Sequence, residues 1–189
     1  MPVRRIAILS VGLFFFLLPA LFLPAMSWGA TLSVNPLDPG AYADFQTAID
    51  DAEGGDIIEV ADGTYTGALN KNLSFGFNVG NIILRSENGA AHTIIDCEGV
   101  GRGIEFGFGN DGIVLEGFTI QNGVAASGGA INCAGSSQTI RNCVFTNNIG
   151  EWGGGISVSY TASPHIESCV FENNTAESGG GLYSSGSPT

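Results

Sequence analysis

Basic side chains are scarce in this chain of 189 residues: Lys and Arg number 6 against 18 Asp and Glu, for a net charge of −12. Beyond the first five residues only Lys71, Arg85, Arg102 and Arg141 carry positive charge. Nucleic acids and anionic lipid surfaces are held through Lys and Arg, so neither is expected as a partner. Histidine is limited to His92 and His165. Neither has an acid or nucleophile motif beside it, and each reads as a loop or strand-surface residue. Past residue 23 there is no apolar run of the roughly 18 residues that a spanning helix needs, so the mature segment is not expected to enter a membrane. Cysteine is sparse as well. Cys97, Cys133, Cys143 and Cys169 follow one another at spacings of 36, 10 and 26, which do not make a zinc signature.

Glycine, by contrast, is abundant, with 29 residues. Each interior glycine weakens a helix by roughly 0.5–1 kcal/mol, whereas repeated tight corners use glycine without that cost. The composition therefore points to β structure with many bends. Gly103 to Gly112 lacks the Lys-Ser/Thr of a phosphate loop and carries no nucleotide signal.

The amino terminus has the three parts of an export signal. Met1 to Arg5 is short and basic, Ile6 to Leu23 is apolar, and small residues follow through Ala30. Cleavage fits after Ser27 or after Ala30. Residues 1–30 are thus expected to be a signal peptide, which places the mature chain outside the cytoplasm, secreted or on the cell surface. Residues 31–56 are expected to form an N-terminal cap. Within it Phe45, Ala48, Ile49 and Ala52 make one apolar face of a short helix spanning Asp44 to Ala52, and Gly54-Gly55 ends it. Asp56 to Val60 then reads as a first strand, and Ala61-Asp62-Gly63-Thr64 as a turn.

From residue 57 the chain repeats itself. Ile140, Cys143, Phe145, Asn147 and Asn148 recur as Ile166, Cys169, Phe171, Asn173 and Asn174, a spacing of 26. Gly153-Gly154-Gly155-Ile156 recurs as Gly179-Gly180-Gly181-Leu182 at the same spacing. Stepping back 25 brings Leu115, Phe118, Ile120, Asn122 and the block Gly128-Gly129-Ala130-Ile131 into the matching slots. Strands rise about 3.3 Å per residue and neighbours lie about 4.8 Å apart. Three short strands and three bends therefore close one triangular coil in about 25 residues, and equivalent side chains stack.

The predicted fold is all-β, a parallel β-helix capped by the short helix and right-handed as parallel crossovers nearly always are. Its predicted internal columns are Leu84–Leu115–Ile140–Ile166, Ile95–Ile120–Phe145–Phe171, Ile104–Ile131 and Phe118–Cys143–Cys169. Asn122, Asn147 and Asn173 are expected to stack at one corner, with amides bonding along the ladder, and the glycine blocks to form another. Ser184 to Thr189 falls where a further coil would begin, so the solenoid of residues 57–189 is expected to be incomplete at its C-terminal end.

Two resemblances rest on these residues. The helix leading through Gly55-Asp56-Ile57-Ile58 to Asp62-Gly63-Thr64-Tyr65 resembles the entry segment of pectin-lyase-like β-helix proteins. Gly128-Gly129-Ala130-Ile131 with Phe145-Thr146-Asn147-Asn148, and Phe171-Glu172-Asn173-Asn174 with Gly180-Gly181-Leu182, resembles the GGAI and FxxN repeats of polymorphic outer-membrane proteins. The second resemblance covers about residues 115–183 and implies a cell-surface or secreted adhesive passenger built as a right-handed β-helix. The first admits an alternative, a lyase or hydrolase acting on acidic polysaccharide.

Catalytic residues are not assignable from sequence. Asp96, Glu98, Arg102, Glu105 and Asp111 form the nearest acidic cluster, in which Ca²⁺ is conceivable, although solvated coil surface is the plainer reading. No other cofactor is implied, and metal ligands are not assigned. Trp152 and Tyr160, with Tyr65 and Tyr183 behind them, are candidates for stacking on sugar rings. Cys143 and Cys169 share a column, so a disulfide and a pair of buried thiols are both open. The expected function is a scaffold binding carbohydrate, host or matrix, without catalysis.

Overall fold

A computed structural model describes residues 29–77 and 79–185. The expected signal peptide falls outside the described residues except for its last two positions, and so does the terminal stretch 186–189.

The described chain winds into a parallel β-solenoid of about six turns. Its first face pairs Thr31–Val34, Ile57–Val60, Ile83–Ser86, Val114–Glu116, Thr139–Arg141 and His165–Glu167 in that order. The second face stacks Gly63–Tyr65, Thr93–Asp96, Thr119–Gln121, Val144–Thr146 and Val170–Glu172. The third stacks Leu73–Ser74, Ile104–Phe106, Ile131–Ala134, Ile156–Ser159 and Leu182–Ser184. A two-stranded ribbon, Ile149–Trp152 with Thr175–Ser178, lies between the second and third faces.

The predicted columns are those observed. Leu84, Leu115, Ile140 and Ile166 are register partners, and the column runs on through Ile58 to Leu32. Ile95, Ile120, Phe145 and Phe171 stack on Tyr65, with the rings of Phe145 and Phe171 5.1 Å apart. On the third face Leu73, Ile104, Ile131, Ile156 and Leu182 align. Strands of three or four residues suffice because each needs to send only one or two side chains inward.

The helix covers the first coil. It spans Phe45–Asp51, and Asp44 caps it by accepting a hydrogen bond from Thr47 N at 2.9 Å. Phe45, Ala48 and Ile49 are buried. The Phe45 ring meets Tyr65 edge-on at 4.9 Å and Phe118 at 5.8 Å, closing apolar surface that the terminal coil would otherwise expose.

Three local expectations change. The first face begins before Ile57, because Thr31–Val34 pairs in register with Ile57–Val60. A four-residue strand followed at once by Asn35-Pro36 gives too short a pattern to identify alone. The turn after Val60 is confined to Ala61 and Asp62, since Gly63–Tyr65 already pairs with Thr93–Ile95. The asparagine ladder is displaced by one residue. Asn122, Asn147 and Asn173 do turn the corner, with φ of 57°, 57° and 54°. The ladder itself belongs to Asn148 and Asn174, whose side chains reach inward. Asn148 Nδ2 donates to Asn174 Oδ1 and to Ile120 O, both at 3.0 Å, and Gly123 N donates to Asn148 Oδ1 at 2.8 Å. The left-handed residue turns the chain, and the residue after it closes the backbone bonds the turn leaves open.

At the glycine corner the leading residues Gly128, Gly153 and Gly179 have φ of 63°, 70° and 69°. The second glycine is needed for space. A Cβ on Gly154 would stand 2.5 Å from Gly180 O and 2.6 Å from Thr175 O.

Ile140→Ala opens a void in the middle of a column and should cost about 2–5 kcal/mol. Thr139→Ala, one residue away and facing out, should stay within about 0.5 kcal/mol. Denaturant midpoints of the two variants check the contrast.

Candidate ligand-binding surface

Stacking that aligns apolar residues inside also aligns charges outside. On the first face Glu59, Arg85, Glu116, Arg141 and Glu167 are successive register partners. Like charges directly opposite would repel, and the signs alternate. Arg85 pairs with Glu59 and Arg141 with Glu116, each at 2.8 Å. An open groove of about 430 Å³ beside this ladder is lined by Glu59, Arg85, Glu87, Glu116 and Asn142, among others. Two of its three carboxylates, Glu59 and Glu116, are held by arginines.

The acidic cluster read from sequence separates into three groups. Asp96, on the second face, accepts from Gln121 Nε2 at 2.9 Å, Asn122 Nδ2 at 3.0 Å and Glu98 N at 2.8 Å. Burial by itself would raise its pKa. The hydrogen bonds from Asn122, Glu98 N and Gln121 and the charge of Lys71 outweigh that and hold it below the ordinary value. Glu98 sits in a left-handed turn with φ of 57° and pairs with Lys71 at 2.6 Å. That hydrogen bond, with one from Gly67 N, lowers its pKa as well. Arg102 and Glu105 pair with each other, and Asp111 accepts from Ser137 N at 2.8 Å. Among the described residues no group of three or more His, Cys, Asp or Glu side chains is placed to hold a metal ion. His92 stands 3.9 Å from Asp62 and His165 3.4 Å from Glu167, all exposed.

The aromatic candidates are also redistributed. Tyr65 is 3% exposed and donates from its hydroxyl to Ala61 O at 2.9 Å, so it is core. Tyr183 is half-buried on the third face. Trp152 and Tyr160 are both exposed, but they lie at opposite edges of the third face, before and after Ile156–Ser159. Tyr160 belongs to the turn after that strand rather than to the strand itself.

The structure brings Tyr160 together with Phe108, a residue the sequence did not single out. Phe108 and Tyr160 are 54% and 70% exposed, with ring centroids 5.7 Å apart. Each stands two residues past a strand residue of one register column, Phe106–Cys133–Val158, and Gly135 holds the same place on the coil between them. A Cβ on Gly135 would meet Phe108 Cε1 at 2.1 Å, so the glycine lets the ring lie across it. Tyr160 holds φ at 58°, an uncommon conformation for a bulky side chain. The signal was present in the sequence as one coil spacing between Phe108, Gly135 and Tyr160, obscured by the surrounding glycines.

These features define a class, a parallel β-solenoid whose coils carry a glycine corner and an asparagine corner. The model of the Chlamydia polymorphic membrane protein repeat matches residues 168–185, which run from Ser168 at the bend before the second face to the end of the third. Over those residues the chain is similar to that repeat. No curated protein and no solved structure matches the chain.

The lowered pKa of Asp96 gives a pH test. A depressed carboxylate adds stability that is present above its unfolded pKa near 3.8 and is lost as pH falls through the folded value. Asp96→Asn removes the titrating group. The fall in melting temperature from about pH 6 to about pH 3 should be smaller in that variant than in the wild type.

Proposed function

We propose that this chain is a surface-exposed or secreted scaffold that binds a neutral glycan without catalysing its cleavage. The observation that carries this reading is the Phe108–Tyr160 pair, two exposed rings held together across Gly135 at one edge of the third face. Apolar surface kept exposed in a strained turn is characteristic of binding sites, and aromatic faces stack on the C–H faces of sugar rings. The net charge of −12 favours an uncharged polymer over a uronate or sulfated one, since like charge opposes association. The repeat match at residues 168–185 supports placement at the outer membrane or cell surface. The dispersal of the carboxylates among separate structural partners favours binding over lyase or hydrolase chemistry.

Affinity electrophoresis of the full chain through gels containing neutral or uronate polysaccharides tests the reading. Retardation should occur with a neutral polymer. Tyr160→Ala or Phe108→Ala should weaken it about 10-fold, equivalent to roughly 1.4 kcal/mol, while Trp152→Ala at the opposite edge leaves it unchanged. Wild-type protein that ignores every neutral polymer, or Tyr160→Ala protein that binds as before, would sink the proposal. Release of unsaturated ends from a uronate polymer would establish the enzymatic alternative instead.

A further inference from the structure

Of the four cysteines, two are built into one site. Val144 and Val170 are register partners on the second face, and Val170 N donates to Cys143 O at 2.9 Å. Cys143 and Cys169, immediately before these valines, therefore stand one above the other on adjacent coils. The residue before each is left-handed, Asn142 with φ of 55° and Ser168 with φ of 52°. The chain thus makes the same bend in both coils and aims both side chains the same way. Each Sγ donates to the carbonyl two residues back, Cys143 to Arg141 O at 3.2 Å and Cys169 to Glu167 O at 3.3 Å. One strand spacing, about 4.8 Å, lies within the Cα separation that a disulfide bridges, roughly 4.4–6.8 Å.

The two positions differ in a way that suits stepwise oxidation. Cys143 is buried and Cys169 is half-buried. The nearness of the two thiols favours the thiolate on Cys169 and pushes the Cys143 thiol upward, with burial adding to the latter. The thiolate is the attacking species in disulfide exchange. Cys97 and Cys133 are fully buried. Burial pushes the Cys97 thiol up to about 12 and Cys133 higher still.

We infer that Cys143 and Cys169 are a disulfide-forming pair that staples two adjacent coils when the protein meets a low-molecular-weight disulfide. Cys169 Sγ, as thiolate, attacks one sulfur of the external disulfide, forming a mixed disulfide and releasing one thiolate, which takes up a proton. Cys143 then loses its proton to solvent, and its sulfur attacks Cys169 Sγ, displacing the second external thiolate. Two protein thiols are oxidised and one external disulfide is reduced to two thiols. An exported chain would meet such oxidants, because disulfides form and persist outside the cytoplasm.

The test treats the full chain with oxidised glutathione, then unfolds it, alkylates the remaining thiols and maps the peptides by mass. The expected product is monomeric, lighter by two hydrogens before alkylation, with one linked peptide pair carrying Cys143 and Cys169 and with Cys97 and Cys133 alkylated. Cys143→Ser should stop the reaction at a persistent glutathione adduct on Cys169, and Cys169→Ser should react at least 10-fold more slowly. Four alkylatable thiols after oxidation, a bridge involving Cys97 or Cys133, or a wild-type adduct that never resolves would each overturn the inference. The wild-type map decides even where a variant fails to fold.

Discussion

In-register parallel pairing between coils is the constraint on which the rest of this structure depends. Each residue lies about 4.8 Å above its counterpart, so whatever a position carries must tolerate a near copy of itself. Apolar residues meet that demand by stacking, as Leu84, Leu115 and Ile140 do. Asn148 and Asn174 meet it because an amide both donates and accepts. Charges meet it only by alternating, and the first face alternates glutamate with arginine. Cysteine has a fourth option, since two stacked thiols can be joined covalently.

The same constraint explains why exposed aromatic side chains gather at corners. Faces are short and their inward residues are consumed by the core. The corners contain positions in which the side chain is freed from the stack, and there the chain carries Phe108 and Tyr160 in the open. Gly135 shows how a corner is tuned from one coil to the next. Where the coils above and below carry a ring, it carries nothing, and the two rings meet across it. Divergence of this kind adds a surface without disturbing the interior, which allows one scaffold to display different surfaces.

Much of this was readable in advance. A repeat near 25 residues fixes which side chains share a column because coil length and strand spacing leave little freedom. The inward positions Ile95, Ile120, Phe145 and Phe171 followed from that alone. The strand Thr31–Val34 is not legible in the sequence because it precedes the repeat and is only four residues long. The asparagine ladder lies one residue beyond the position the repeat suggests, because adjacent asparagines look alike in sequence. Which of them turns the corner and which reaches inward depends on the sign of φ at the first.

The sequence by itself determined the period, the columns, the capping helix and the abundance of corners, all of which follow from local spacing and the chemistry of single residues. The tertiary structure decided which exposed side chains become neighbours. It paired Phe108 with Tyr160 and set Trp152 apart, divided the acidic cluster among separate partners, and set Cys143 and Cys169 one above the other on adjacent coils. Those outcomes depend on how far each bend advances the chain and where it leaves a side chain pointing. The backbone angles at each bend, such as the positive φ of Tyr160, set those directions and leave no pattern in the spacing of residues.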